Sequence, residues 1–474
     1  MLPRSWRSSS KKSERKLASR SVKHRSVLLY LAISVTIIGQ WCVPCQLAAS
    51  DTSDPSKPLG VDACVKIALK NNLQILKKEL ERQAQTYRAK ATLKDMLPSL
   101  DTDYSYTGRR DAATIVIFGR STTIYGHDEY KWNLNVRQPL FYGGLLWNRF
   151  KKAQIEVDLA ELALFQAQNQ IIRETKKSYY EVLKTKKLVE EAQAQLHRLK
   201  AQYETVKAFF EASLKPKTDL LQSQVQLNQG KLALIKARNQ YELAKNRLNI
   251  VMKRSLESPL NIKEKIEIPE LSISLKHLYN MALTARPELK QAHLAVQKAQ
   301  KQVKIALSDY WPKVDLTASY SKDGVTPDVS DNPYGDHENA QVFLTAKWEL
   351  FSWGKSRDKI IAAKKMVEAA EVELEDLTNR VKLEIKNAYL LYEDAKEGVN
   401  VARSALQSAK EDYELNVSRY KNQLASNTDV LNAQSRLTKA RSDFISAVAA
   451  QLAALAEIEY AVGRGITECT RSKK

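Results

Sequence analysis

Leu97–Tyr106 reads LPSLDTDYSY, and Trp311–Tyr320 reads WPKVDLTASY. In both, a proline is followed by strict alternation of side-chain character. Leu100, Thr102, Tyr104 and Tyr106 fall on one face, and Asp101, Asp103 and Ser105 on the other. Val314, Leu316, Ala318 and Tyr320 likewise oppose Asp315, Thr317 and Ser319. A period of two marks a strand whose faces meet different surroundings. The upstream pattern is helical, and it must stop before Pro98 and Pro312, because proline cannot continue a helix and biases its predecessor toward extended backbone. A helix of about 35 residues is expected before each proline.

The two stretches lie 214 residues apart, and the rest of the chain repeats with them. Ala68-Leu69 recurs as Ala282-Leu283, and Tyr106 as Tyr320, at that offset. Leu140-Phe141 recurs as Leu350-Phe351 at 210, as do Gly144 as Gly354, Tyr179 as Tyr389, Tyr203 as Tyr413, and Thr218-Asp219 as Thr428-Asp429. The chain is therefore duplicated, with one net gap of four residues between Tyr106 and Leu140. Repeats of this kind signal stacked copies of one supersecondary unit.

Working outward, a turn region leads to a second strand in each half. Tyr130, Trp132, Leu134 and Val136 alternate with Lys131, Asn133, Asn135 and Arg137. Val342, Leu344, Ala346, Trp348 and Leu350 alternate with Gln341, Thr345, Lys347 and Glu349, and only Phe343 breaks the pattern. Two readings fit: a half-buried strand of a soluble sheet, or a barrel strand with lipid outside and water inside. Full charges on the polar faces and Tyr and Trp on the apolar ones favour the barrel.

A very long helical pattern follows each strand pair. From about Leu146 to Ala212 there is no Pro or Gly, enough for roughly 100 Å of helix. Heptads run through Val189, Ala192, Leu196, Leu199, Tyr203, Val206 and Phe210, and return beyond Pro216 from Leu227 to Val251. The second half repeats them from Val399 to Tyr420 and from Leu437 to Ala461. Three-four spacing pairs helices as coiled coils, so each half holds a long antiparallel helical hairpin. Four strands cannot close a membrane barrel, for which about eight are needed, and an open edge cannot face lipid. Strands from several chains must pool, and symmetric assembly is the usual solution.

Composition agrees. Of 474 residues only 14 are Gly and 13 Pro, and the mean hydropathy of −0.43 excludes a bundle of transmembrane helices. The net charge is +21, of which +8 sits in residues 1–26 and +13 is spread over the rest among acidic residues at helical spacing. That is a solvated face rather than a nucleic-acid site, and no nucleic-acid partner is expected. The basic start to Arg25, the apolar run Val27–Gly39 and Ala48-Ala49-Ser50 form the three parts of an export signal, with an uncleaved anchor as the other reading. Cys64 and Cys469 remain beyond it, to pair or to stay free thiols. The six His are scattered, and there is no His-Glu-x-x-His, Walker-type loop or paired Cys cluster, so no enzyme, metal or cofactor is expected. Rival readings are a periplasmic adaptor, which has one hairpin flanked by Gly-rich β domains, and a structural coiled coil, which leaves the signal and strands unexplained.

In layout the chain resembles the TolC-like outer-membrane efflux proteins. The residues that carry the likeness are Ala68-Leu69-Lys70-Asn71-Asn72, Leu97-Pro98-Ser99-Leu100, Gln138-Pro139-Leu140-Phe141-Tyr142-Gly143-Gly144, Arg286-Pro287-Glu288-Leu289, Trp311-Pro312, Trp348-Glu349-Leu350-Phe351-Ser352-Trp353-Gly354, and Thr428-Asp429-Val430-Leu431-Asn432-Ala433. The resemblance implies a mainly α fold with a membrane β-barrel contribution. Three chains would pool four strands each into a twelve-stranded barrel in outer-membrane lipid, with a helical barrel in the periplasm. It implies a passive exit duct for efflux or type I secretion, working as a homotrimer with a periplasmic adaptor and an inner-membrane pump of the RND, ABC or MFS type. The expected division is a signal peptide over 1–50, a first-repeat helix over 51–97, a β-hairpin over 98–141, a helical hairpin over 142–253 and a linker over 254–274. The second-repeat helix over 275–311, β-hairpin over 312–351, helical hairpin over 352–463 and a tail over 464–474 follow.

The resemblance also points to a gate at the hairpin tips. Asp429 matches a ring aspartate, while the second ring position is the uncharged Asn432. Tyr420 matches the gating tyrosine, and Thr218 and Asp219 its partners; the gating arginine falls at Ala425, so part of the lock is absent, with Lys215, Lys217 and Lys421 near enough to substitute. The plainer reading of Asp219 and Asp429 is capping: each follows a Thr at a helix start, where Thr caps and Asp meets the positive dipole end.

Overall fold

The computed structural model describes residues 58–263, 273–333 and 337–463. The signal expected at 1–50, the tail at 464–474 and Cys42, Cys45 and Cys469 lie outside the described residues. The first half contains α1 (Val61–Asn71), α2 (Leu73–Lys94), β1 (Ser99–Gly108), β2 (Ala113–Ile117), β3 (Arg120–Tyr125), β4 (Asp128–Phe141), α3 (Leu145–Glu211) and α4 (Lys217–Val251). The second contains α5 (Leu275–Ala285), α6 (Pro287–Leu307), β5 (Lys313–Gly324), β6 (Glu338–Lys347), α7 (Lys355–Lys421) and α8 (Asn427–Val462). The long helices α3 and α7 both have 67 residues, so each extends about 100 Å.

The single helix expected before each proline is two helices. Asn72 breaks the first, at φ −62°, ψ 133°. Its Oδ1 accepts from the Gln74 N–H at 2.8 Å and its Nδ2 donates to the Val251 carbonyl at 2.8 Å. The break thus caps α2 and ties it to the end of α4. Arg286 breaks the second, held extended by the proline that follows it. The short helices α1 and α5 cover equivalent sites. Cys64 and Ala68 pack among Ile171, Tyr179, Val182, Leu248 and Met252; Leu278 and Ala282 pack among Val381, Ile385, Tyr392, Ile458 and Val462.

The main sheet runs β1-β4-β5-β6, antiparallel throughout. Leu100 lies opposite Val136, Tyr104 opposite Trp132, Leu134 opposite Tyr320, Ala318 opposite Val342 and Leu316 opposite Leu344. Directly opposed residues share a face. The four strands therefore present one largely apolar and aromatic face, with Thr102 and Gln138 within it and the Lys322–Glu338 pair at one end, and one polar face, on which Phe343 lies opposite Thr317 and Pro139 opposite Asp315. On the polar side Arg137 forks onto Asp315 at 3.1 and 2.9 Å, and the Tyr142 hydroxyl donates to the same carboxylate at 2.8 Å. Ser99 pairs with Arg137 and Lys313 with Lys347, the same register in both halves. The four-residue difference lies wholly in the connections, 109–127 against 323–337. The first of these, expected to be a plain turn, contains the extra hairpin β2–β3.

Strand turns into helix through two residues of positive φ. In the first half these are Gly143 (60°) and Gly144 (79°), in the second Trp353 (52°) and Gly354 (82°). A Cβ on Gly143 would lie 2.5 Å from the Cβ of Trp311, whereas one on Gly354 would meet nothing within 4 Å. Alanine at Gly354 should cost the left-handed conformation alone, about 1–2 kcal/mol. At Gly143 overpacking against Trp311 should add about 1–3 kcal/mol. Thermal unfolding of the two variants, followed by helical circular dichroism, is expected to show a clearly larger fall in midpoint for Gly143→Ala.

Candidate functional site at the hairpin tips

The two helical hairpins meet along α3 and α8. Near the short helices this seam is ionic: Lys176 pairs with Glu459, and Arg173 and Lys177 with Glu457 at 3.0 and 2.5 Å. Further along, the buried Glu191 is held by Arg198 of its own helix at 2.5 Å and Arg441 of α8 at 3.0 Å. A buried carboxylate persists only with such pairing. Beyond it, Leu199, Leu227 and Leu431 form a small apolar cluster, with Leu196 and Tyr203 against it.

At the tips, Tyr420 is buried with Val206 and Val430, with Phe209, Leu220, Tyr413, Val417 and Ala425 packed around them. Its ring stands 5.8 Å from that of Phe209, and Lys215 Nζ lies 5.4 Å from its centroid. Burial raises the Tyr420 pKa above the usual tyrosine value, and the neighbouring Asp219 charge adds to the rise. No hydrogen bond joins the Tyr420 hydroxyl to Thr218 or Asp219; among the described residues this buried oxygen has no hydrogen-bond partner. Phe210, placed in the heptad from the sequence, is 36% exposed, and Phe209 takes the packing position.

Asp429 lies on the exposed side of the α8 start, where Ser426 is the N-cap. Its Oδ2 accepts from the Ser426 N–H at 2.9 Å and hydroxyl at 2.7 Å, and its own N–H donates to Ser426 Oγ at 3.2 Å. This is a reciprocal capping box. The bonds from Ser426 hold the Asp429 carboxyl below the usual aspartate range. Capping is thus the geometry present, but the capping residues differ from those expected. Helix α8 starts from Ser426, not Thr428, and α4 from Pro216, which has no side chain to cap with, not Thr218. Thr218 is exposed, Asp219 half-buried, and Asn432 exposed one turn beyond Asp429.

The structure adds residues that the sequence did not reveal. Asn427, 1% exposed, accepts from Gln202 Nε2 at 3.0 Å and donates to Ser223 Oγ at 3.1 Å and the Asp219 carbonyl at 3.3 Å. One side chain of α8 thereby joins α3 and α4. Gln434, equally buried, donates to the Gln195 carbonyl at 3.4 Å. In the sequence Asn427 looks like an ordinary helix-start asparagine; its burial depends on a hairpin some 200 residues away.

A duplicated chain with two helical hairpins and four amphipathic strands exposed on both faces defines the channel-tunnel class of membrane duct. The family model for the outer membrane efflux protein matches residues 64–252 and 278–464, one match per half, and the chain belongs to that family. It is therefore an outer-membrane efflux channel, a transport duct rather than an enzyme, whose helices form a periplasmic tunnel. The family works with an adaptor and an inner-membrane pump. The chain is 25% identical to the alkaline protease secretion protein AprF of Pseudomonas aeruginosa over 415 residues, 84% of this chain and 83% of that one. Its fold superposes on a Pseudomonas aeruginosa membrane protein with a TM-score of 0.75 at 16% identity, over 85% and 90% of the two chains. With the Campylobacter jejuni CmeC channel the TM-score is 0.74 at 17% identity, over 87% and 89%. Neither a periplasmic adaptor nor a structural coiled coil accounts for the family match.

Two outcomes are expected at the tips. Asn427→Ala leaves Gln202 and Ser223 without their buried partner, a loss of about 1–3 kcal/mol, and hydrogen exchange at the tips of α3 and α8 should quicken accordingly. A carboxyl with a depressed folded value stabilises above its ordinary value and stops doing so as pH falls through the depressed one. The exchange protection of the first turn of α8 should therefore drop over that acid interval in the parent protein, and be lower and independent of pH there in Asp429→Ala.

Proposed function

We propose that three copies of this chain assemble into a passive exit duct for efflux or type I secretion, gated at the hairpin tips. The observation that carries the reading is the sheet: a largely apolar face, and two edge strands, β1 and β6, each with one edge that pairs with no strand among the described residues. Leu100, Val342 and Leu344 on that face are 68%, 71% and 63% exposed, a surface suited to lipid rather than water. Strands of 10 to 14 residues are long enough to cross a bilayer when tilted. An edge in lipid leaves unsatisfied N–H and C=O groups, so further copies must supply the closure. Three copies make 12 strands, as the family resemblance implies.

The duct itself does no chemistry. An inner-membrane pump of the RND, ABC or MFS type supplies energy, and a periplasmic adaptor docks on the hairpins. Similarity to AprF along most of both chains favours secretion of a protein cargo. At the tips, Tyr420 and its apolar cluster anchor one hairpin to the other beside Asp219 and Thr218. Asp429, and Asn432 one turn away, line the mouth, where Asp429 alone of the two ring positions has a charge. With alanine at 425 in place of the arginine, Lys215 over the Tyr420 ring is the cation nearest the lock.

Single-channel conductance in planar bilayers, with oligomer mass, tests this reading. The expected result is a trimer with small, cation-selective, mostly closed openings, whose block by multivalent cations weakens in Asp429→Ala. Monomer without channel activity would overturn the duct, and unchanged cation block would remove Asp429 from the ring.

A further inference from the structure

The halves of this chain meet along a seam between β4 and β5, and this seam has a counterpart that one chain leaves open. Strand β4 has 14 residues and pairs up to Phe141. Its repeat equivalent β6 has 10 and stops at Lys347, although Phe351 is the counterpart of Phe141. The stretch that fails to pair is Trp348-Glu349-Leu350-Phe351, with Trp348, Leu350 and Phe351 57%, 78% and 70% exposed. Trp353 just beyond is 90% exposed and has a positive φ of 52°. Such a backbone persists where surrounding structure holds it, and among the described residues the only ring contact of this tryptophan is with the likewise exposed Phe351, at 4.9 Å between centroids. At the opposite edge every residue of β1 is exposed.

Relying on the trimeric reading above, we infer that β6 of one copy pairs antiparallel with β1 of the next in the register of the internal β4–β5 seam, which sets Phe343 opposite Thr107 and Lys347 opposite Asp103. The register follows from the duplication. Offsets of 214 and 210 turn the observed β1–β4 pairing into the observed β5–β6 pairing without a slip. Applied to β4–β5, where Asn133 faces Ser321 and Arg137 faces Thr317, they give those two pairs.

Side chains at the open edges agree with it. Arg137 reaches diagonally to Asp315 across the internal seam. The equivalent positions hold Lys347 and Asp101, again a cation and a carboxylate, and among the described residues neither has a salt-bridge partner in its own chain. At the base of the strands Trp311 lies against Gly143, leaving no room for a Cβ. The counterparts are Leu97 and Trp353, so the large residue has moved to the other side of the seam. Trp353 would lie over Leu97 of the neighbouring copy, which is 58% exposed in a single chain.

Disulfide trapping reads the register directly. Opposed Cα atoms in an antiparallel pair are about 4.5–5.5 Å apart, within disulfide range, and a shift of two residues takes them to about 7–8 Å, beyond it. Thr107→Cys is combined in turn with Gln341→Cys, Phe343→Cys or Thr345→Cys in the full chain, and the purified protein is oxidised. Cys64 does not compete, because burial pushes its thiol up to about 11; the parent chain controls for the remaining cysteines. Cross-linked chains are expected at least about tenfold faster with Phe343→Cys than with either neighbour. Lys347→Glu should reduce the share of trimer that survives mild heating in dodecyl sulfate, and adding Asp101→Lys should restore it. A trimer that traps best at position 341 or 345, or is not restored by the charge exchange, overturns this register and leaves the duct standing. Protein that forms no trimer removes both.

Discussion

The obligation of backbone N–H and C=O groups to find partners where no water is available governs this molecule. A four-stranded sheet with an apolar outer face satisfies that obligation on its two inner strands and fails it at β1 and β6. In the proposed assembly, chain number and symmetry follow from how further copies repair that failure. There a second copy supplies β1 to β6 only if the helices below accept the same rotation, which would bring α7 to a neighbour much as α3 meets α8. The duplication makes this feasible, because the β4–β5 seam within the chain offers a template for the seam proposed between copies. Matching registers in β1–β4 and β5–β6 show how closely the two halves copy each other.

Much of this was legible in the sequence. Period two over Leu100–Tyr106 and period three-four over Val189–Val206 are geometric consequences of strand and helix, and a shared offset locates the copies without any structure. The register pairs the alternating residues face to face as their periodicity implied, down to Phe343 as the exception. Less legible were features set by single side chains acting at a distance. The breaks at Asn72 and Arg286 look like helix until one sees that Asn72 bonds the end of α4 and that Arg286 precedes a proline. Hairpin β2–β3 was hidden because its short apolar run has no partner pattern in the second half.

The candidate gate was less legible still. Motif position brought Tyr420, Asp219 and Asp429 to one end of the molecule, and the structure agrees in placing them there. It did not reveal which atoms bond. Tyr420 is anchored by packing against Val206, Phe209 and Val430, and polar links between the hairpins are made by Asn427 and Gln434. A buried asparagine and an exposed one have the same letter, and only the docking of two hairpins distinguishes them. Asp429 shows the converse: its capping role was visible in the sequence, yet its partner is Ser426, two positions before the threonine that the motif emphasised.

The departures from exact duplication carry the remaining information. Where α8 packs on α3, the contacts are Arg173 with Glu457 and Glu191 with Arg441. The positions on α7 equivalent to Arg173 and Glu191 are Leu383 and Val401, exposed in one chain at 59% and 61%. The α4 positions equivalent to Glu457 and Arg441 are Arg247 and Lys231, so the ion pairs of the seam within the chain are not repeated by the second copy of these positions. Buried ion pairs lose their attraction over small displacements and leave costly unpaired charges. The ion pairs of α3 and α8 therefore tie the two hairpins together about 42–69 Å along α3 from its strand end. Past Glu191 and Arg441 the seam gives way to Leu199, Leu431 and Tyr420, with neutral hydrogen bonds from Asn427 and Gln434. In the proposed gate, movement of the tips beyond Glu191 and Arg441 would break packing and neutral hydrogen bonds between the hairpins rather than ion pairs.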